Sequence, residues 1–236
     1  MLDAALFWDF DGTLIYGEET FFHALSSALQ DHNHPIPTAE IRETLRSGCT
    51  WNTPQLSYVD ATGQKWWDRL FLHFTGLYNR FHIPSAEYSI LNQQFKEEIL
   101  DAKTYTLYDD ALITLQRCRE LGFKSYIISN NFPELPRVAE KLGVGALMTG
   151  SIISSLIGYE KPREEIFAFA RYMADDPNRC YMIGDNPVAD IEGGKAAGMT
   201  TILVHRQGDF TADYHCHTLS DIPPLLEAGC HCTINR

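Results

Sequence analysis

Short apolar strand-like stretches recur at residues 4–8, 124–129, 146–149, 180–183 and 200–204, each separated from the next by helical or turn-rich sequence. Runs of this length predict strands buried on both faces, and the alternation with helices predicts a parallel sheet covered on both sides. Residues 109–121 carry a helical period, with Ala111, Leu112, Leu115 and Cys118 at core spacing and Gly122 as the stop. Residues 164–173 and 188–197 read the same way. Between the first strand and the helix near 109 lie roughly 90 residues, too many for a simple βα loop. Within them 20–29, 38–45, 66–80 and 85–100 predict helices, with Pro35, Pro37, Pro54 and Pro84 punctuating the connections. The expected architecture is α/β: a Rossmann-like parallel-sheet core from residues 1–15 and 105–236, with helices on both faces, and an inserted helical domain over 16–104.

The first run leads into Trp8-Asp9-Phe10-Asp11-Gly12-Thr13. Alternation along a strand puts Asp9 and Asp11 on one side, unless the turn at Gly12 has already bent the chain. Crowded carboxylates repel unless a cation lies between them or one keeps a proton, so the pair points to a divalent metal, to acid-base work, or to both. In an open parallel sheet the ligand crevice lies beyond the carboxyl ends of the strands, where Asp9, Ser129 and Asp185 are expected to meet.

Four segments in chain order carry a resemblance. Asp9-Phe10-Asp11-Gly12-Thr13, Ile127-Ile128-Ser129-Asn130, Gly158-Tyr159-Glu160-Lys161-Pro162 and Gly184-Asp185-Asn186-Pro187-Val188-Ala189-Asp190 together resemble the motifs of the haloacid dehalogenase superfamily, mostly phosphatases with an aspartate nucleophile. The resemblance spans almost the whole chain; the segment between the first two motifs matches no signature. It implies that Asp9 is the nucleophile, forming an aspartyl-phosphate, and also a Mg²⁺ ligand. Asp11 would protonate the leaving alkoxide and then activate water, its backbone carbonyl binding the metal, and Asp185 would be the third protein ligand. Hard oxygen donors of this kind suit Mg²⁺. Asp190 would reach the metal through water or orient Lys161. Ser129, the backbone N–H groups around Asn130, and Lys161 would bind the phosphoryl group, and Thr13 would hold its loop. The helical insert would be a cap closing over the site.

Composition narrows the partners. Nineteen basic and 31 acidic residues among 236 give a formal charge of −12, which disfavours a nucleic acid or an acidic membrane surface and demands a local basic site for a phosphorylated ligand. The chain has no apolar run of transmembrane length, and its first residues pass straight into a core strand, which predicts a cytoplasmic protein. Cys49, Cys118, Cys180, Cys216, Cys230 and Cys232 are scattered as reduced thiols would be. Neither His215-Cys216-His217 nor Cys230-His231-Cys232 has the C-x2-C spacing of a zinc site.

The leading reading is a phosphatase for a small phosphorylated metabolite, such as a sugar phosphate or nucleotide. A phosphomutase on the same core is the alternative; a non-catalytic phospho-ligand-binding protein and a 2-haloacid dehalogenase rank below it. In the insert, Arg46, Asn52, Lys65, Trp66, Trp67, Arg69 and His73 are candidate substrate contacts, and 48–55 is the stretch best suited to reach a ligand. Lys195 and Arg206 read as surface charges, and His23 as a core residue. Substrate identity and oligomeric state are not encoded in any motif.

Overall fold

The computed structural model describes residues 3–17, 19–206, 208 and 211–231, the last three without their side chains. Six strands, β1 (Ala4–Trp8), β2 (Lys124–Ser129), β3 (Gly150–Ile153), β4 (Arg179–Gly184), β5 (Thr200–Val204) and β6 (Tyr214–Cys216), form one sheet in the order β3-β2-β1-β4-β5-β6. Every neighbouring pair is parallel. The chain begins at the centre, runs outward through β2 and β3, then returns to build β4 to β6 on the other side. That reversal sets the topological switch between β1 and β4, where an open sheet leaves its crevice.

All five residues of β1 are buried, as two-sided burial requires. Ala4, Leu6 and Trp8 enter one apolar core and Ala5 and Phe7 the other, so successive side chains serve opposite faces. On the second face Ile166, Phe167 and Ala170 of α8 (Glu164–Met173) supply the cover. The first face is packed by α5 (Ala111–Glu120), α6 (Leu135–Lys141) and α10 (Ile222–His231), the short α7 (Ser154–Ile157) lying against the second, and the first-face core runs without a break into the helical insert.

The insert holds α1 (Thr20–Asp31), α2 (Thr38–Gly48), α3 (Gln64–Arg80) and α4 (Tyr88–Leu100). Helix α1 packs on α4 and α2, and α2 on α3. Phe95 is the hub, meeting the rings of Phe21, Trp67, Phe71 and Phe74 at centroid distances of 5.1–6.3 Å. The loop between α2 and α3 is sewn to the core: Tyr58 N–H donates to Gly158 O at 3.0 Å and Gly63 N–H to Ser155 O at 2.8 Å, while Arg163 donates to Gln55 O at 2.6 Å.

Three expectations shift. The third strand is Gly150–Ile153, and residues 145–147 form a 3₁₀ turn instead; the Ile152-Ile153 pair, fully covered, outcompetes the half-exposed Leu147-Met148 for the sheet. The helix expected over 188–197 is a wide π-type turn, Pro187–Glu192, followed by the short α9 (Gly193–Ala196). Finally, His23 is exposed: it lies on the solvent side of α1, whose buried positions are Thr20, Ala24, Leu25, Ala28 and Leu29. The short β6 carries no apolar run; Asp213 pins its start by accepting from Thr201 N–H and Oγ1, both at 2.8 Å.

Candidate active site

Strand ends β1, β2 and β4 bring Asp9, Ser129 and Asp185 together, Asp9 and Ser129 in the wall of one cavity and Asp185 beside Asp9, and the turn before α8 delivers Lys161. A cavity of about 290 Å³ is lined by Asp9, Asp11, Ser129, Asn130, Asn131 and Lys161 together with residues of the insert. Asp9 is 8% exposed and Lys161 2%. Lys161 Nζ donates to Asp9 Oδ1 at 2.8 Å and to Asp190 Oδ1 at 2.6 Å. Burial would pull this ammonium down, but the two flanking carboxylates outweigh it and hold its pKa above that of a free lysine. It is a fixed cation.

Asp11 is half-buried beside Asp9. Loss of hydration, reinforced by the Asp9 charge, raises its pKa to about 7 despite the hydrogen bond from Asn131 Nδ2 and the attraction of Lys161. Burial and the Asp9 charge also raise Asp185. Gly12 makes this crowding possible, with a φ of +77° and no room for a side chain: a Cβ there would stand 2.7 Å from the Asp185 carboxylate.

Oxygens of Asp9, Asp185 and Asp190 lie within 4.8 Å of one another. Asp190, with no exposed surface, has both oxygens engaged, Oδ1 by Lys161 and Oδ2 by Asn186 N–H at 2.9 Å. Asp9 and Asp185 each give one oxygen to a cation, Lys161 and Arg206 respectively, which leaves each a second oxygen. An all-oxygen donor set of this charge fits a hard divalent cation such as Mg²⁺.

The haloacid dehalogenase-like hydrolase profile matches residues 4–198. The chain belongs to that family. A mouse haloacid dehalogenase-like hydrolase domain-containing protein 3 is 25% identical over 205 residues, 84% of this chain and 80% of the relative. The Thermus thermophilus phosphoserine phosphatase is 28% identical over 160 residues, 66% of this chain and 61% of that one. Among solved structures, the hydrolase YfnB of Bacillus subtilis bound to magnesium superposes with a TM-score of 0.71 at 18% identity, covering 96% of this chain and 100% of that one. At that identity the likeness establishes the fold.

Several residues of this hydrolase behave differently from expectation. Asn130 offers its side chain, not only its backbone: Nδ2 donates to Lys161 O at 2.9 Å and Oδ1 accepts from Lys161 N–H at 2.7 Å, clamping the segment that bears the ammonium. The Asn131 N–H points to Ser154 Oγ at 3.0 Å, while its amide reaches Asp11 and Ser129. The Thr13 hydroxyl is buried without a hydrogen-bond partner; its carbonyl meets His205 Nε2 at 3.1 Å instead. Arg206 is no free surface charge, since Nη2 pairs with Asp185 at 3.0 Å. Of the insert candidates, none of Arg46, Asn52, Lys65, Trp66, Trp67, Arg69 and His73 lines the cavity. Trp66 and Trp67 are buried in the insert, Arg46 pairs with Glu43, and His73 meets Thr44 O. The stretch 48–55 does reach the cavity, through Trp51. Cys216 is buried between exposed His215 and His217, whereas the side chains of Cys230 and His231, and all of Cys232, lie outside the described residues.

Two residues that lie within the motifs have no role implied by them. Asn186 caps the π-type turn, its Oδ1 accepting from Val188 and Ala189 N–H at 3.0 Å each, and so aims Asp190 back at Lys161. Such wide turns recur at functional sites. Glu160, with no exposed surface, accepts hydrogen bonds from Thr50 Oγ1 and Tyr58 OH of the insert. Burial raises its pKa against those donors.

Proposed function

We propose that this hydrolase is a Mg²⁺-dependent phosphatase for a small phosphorylated metabolite, working through an aspartyl-phosphate on Asp9. The observation that carries the reading is the single cavity shared by Asp9, Asp11, Ser129, Asn130 and Lys161. Asp9 and Asp185, with the Asp11 backbone carbonyl, would hold the metal, which when bound neutralises charge on the transferring phosphoryl group.

An Asp9 carboxylate oxygen attacks phosphorus and the bond from phosphorus to the ester oxygen breaks. Asp11, carrying a proton near neutral pH, gives it to the departing alkoxide. As a carboxylate, Asp11 then takes a proton from water, whose oxygen attacks the same phosphorus, freeing Asp9 and inorganic phosphate. Ser129 Oγ and the Lys161 ammonium balance the phosphoryl oxygens throughout. Asp190 acts as a positioning residue for Lys161. The phosphatase name of the Thermus relative and the magnesium of YfnB support the same reading.

The test is a panel of phosphorylated metabolites with Mg²⁺, following free phosphate and isomeric product. Phosphate release that EDTA abolishes and Mg²⁺ restores is the expected result. Turnover in excess EDTA would overturn the metal requirement, and a rearranged ester without phosphate would make the protein a mutase.

A further inference from the structure

The walls of the cavity divide by chemistry. Around Asp9 and Asp11 they are polar; the insert contributes Phe21, Phe22 and Trp51, the segment before α5 Tyr105, and the start of the segment after β2 Phe132. Phe21 is the junction, edge-on to Trp51 at 5.0 Å and 87°, and tilted against Phe132 at 6.2 Å. Phe132 directly follows Asn131, the residue bonded to Asp11, so the aromatic wall begins one residue from the reacting groups.

Three of these rings differ from the rest of the aromatic core, Tyr105 and Phe132 being buried. Trp66, Trp67 and Phe95 are buried and complete the packing of the insert, whereas Phe21, Phe22 and Trp51 keep part of their surface uncovered and line the cavity. They are held from behind: Trp51 stacks on Trp66 at 6.1 Å and 26°, and Phe21 meets Phe95 at 5.6 Å. A wall braced in this way is pre-organised and loses little freedom when a ligand docks.

Charge points the same way. Among the described residues lining the cavity, Lys161 is the only basic one, and it is engaged by Asp9 and Asp190. Besides Asp9 and Asp11, the remaining ionisable acid in the wall, Glu19, is already paired with Arg42. A second anionic group on a substrate would meet carboxylates and no free cation. At about 290 Å³ the space is at the lower end of ligand pockets, about 300–1,000 Å³, and admits one small molecule.

We propose that the leaving group of the substrate carries a flat aromatic ring that seats against Phe21 and Trp51, with buried Phe132 backing Phe21. This rests on the phosphatase reading for the ester chemistry, but the ring seat is measurable without turnover. Titration calorimetry with Mg²⁺ present would compare benzylphosphonate, cyclohexylmethylphosphonate and phosphonoacetate. The first two are apolar and similar in size but differ in flatness; the third carries a carboxylate. Contacts with two aromatic faces of ordinary strength amount to about a tenfold preference for the benzyl compound over either. Trp51→Leu should bring the benzyl to cyclohexylmethyl ratio towards one, and Trp51→Phe should retain most of it, with circular dichroism verifying the fold of both. Parallel values of kcat/KM on benzyl phosphate, glycerol phosphate and phosphoglycolate separate the two ideas. Phosphate release without ring preference overturns the ring seat alone. Ring preference in binding without phosphate release from any ester overturns the phosphatase reading alone. Equal affinity for the three phosphonates, or a ratio unmoved by Trp51→Leu, overturns the seat.

Discussion

Replacing Asp11 by Asn should stabilise the metal-free protein above neutral pH while removing its chemistry. Asp11 faces the charges of Asp9, Asp185 and Lys161 and the amide of Asn131, and its pKa is raised from 3.8 to about 7, first by burial. A carboxyl raised on folding contributes stability that is complete below its unfolded value and lost as pH climbs through the folded value. The window is therefore about pH 4 to 7, with a plateau above. At about 1.4 kcal/mol per tenfold change in proton affinity, the ionised side chain costs the folded state up to about 4 kcal/mol at pH 8. Asp11 opens partly onto the cavity, so solvent and salt reduce this to about 1–3 kcal/mol. Asn imitates the protonated form, and its oxygen can still accept from Asn131. Urea unfolding in EDTA should then show little difference between variant and wild type below about pH 4, a difference that grows through pH 5 and 6, and a gain of about 1–3 kcal/mol at pH 8, or about 2–4 °C in Tm per kcal/mol. Asp190, also raised to about 7 by burial, titrates in both proteins and cancels from the difference. A gain independent of pH, or a loss at pH 8, would refute the reasoning.

In turnover the same variant should separate substrates: general acid-base groups contribute about 10²- to 10⁴-fold, so alkyl phosphates should slow by that order, and an aryl phosphate should give a burst of phenol before slow release of phosphate. Asp9→Asn should fold, by circular dichroism, and release no phosphate, because an amide does not attack phosphorus. Tyr58→Phe removes one donor from buried Glu160 and should cost about 1–3 kcal/mol in chemical denaturation. Cys49, Cys118, Cys180 and Cys216 are buried free thiols. Burial raises Cys216 to about 11 and Cys118 to about 12, so labelling of these four with a thiol reagent should be slow at pH 8 and become complete only on unfolding.

The strands were legible because the central ones carry short apolar stretches between turn residues, and the insert helices because Leu25, Ala28 and Leu29 or Leu70, Phe74 and Leu77 repeat at helical spacing. The convergence of Asp9, Ser129 and Asp185 followed from the rule that parallel strands deliver their ends to one crevice. What escaped is what depends on distance along the chain. Asn131 meets Asp11 across 120 positions, and Glu160 meets Thr50 across 110; neither leaves a local period. Arg206 is exposed, as expected, but its pairing with Asp185 escaped because an arginine in a loop carries no mark of the carboxylate it faces. The aromatic wall was missed for a related reason: Trp66 and Trp67 stand out in the sequence, yet only contacts between elements distinguish them from Trp51.

The turn that bears Lys161 also bears Glu160, and its two neighbouring side chains look in different directions: one to the reacting aspartates, the other to Thr50 and Tyr58. The insert is thus not a freely exchangeable module. A chimera in which residues 16–104 came from a relative lacking hydroxyl donors at the positions of Thr50 and Tyr58 would leave a carboxylate without partners in a dry interior, one peptide bond from the ammonium at the reaction centre. Successful grafts should carry compensation at position 160, so the junction between the two parts of the molecule is inherited as a matched set.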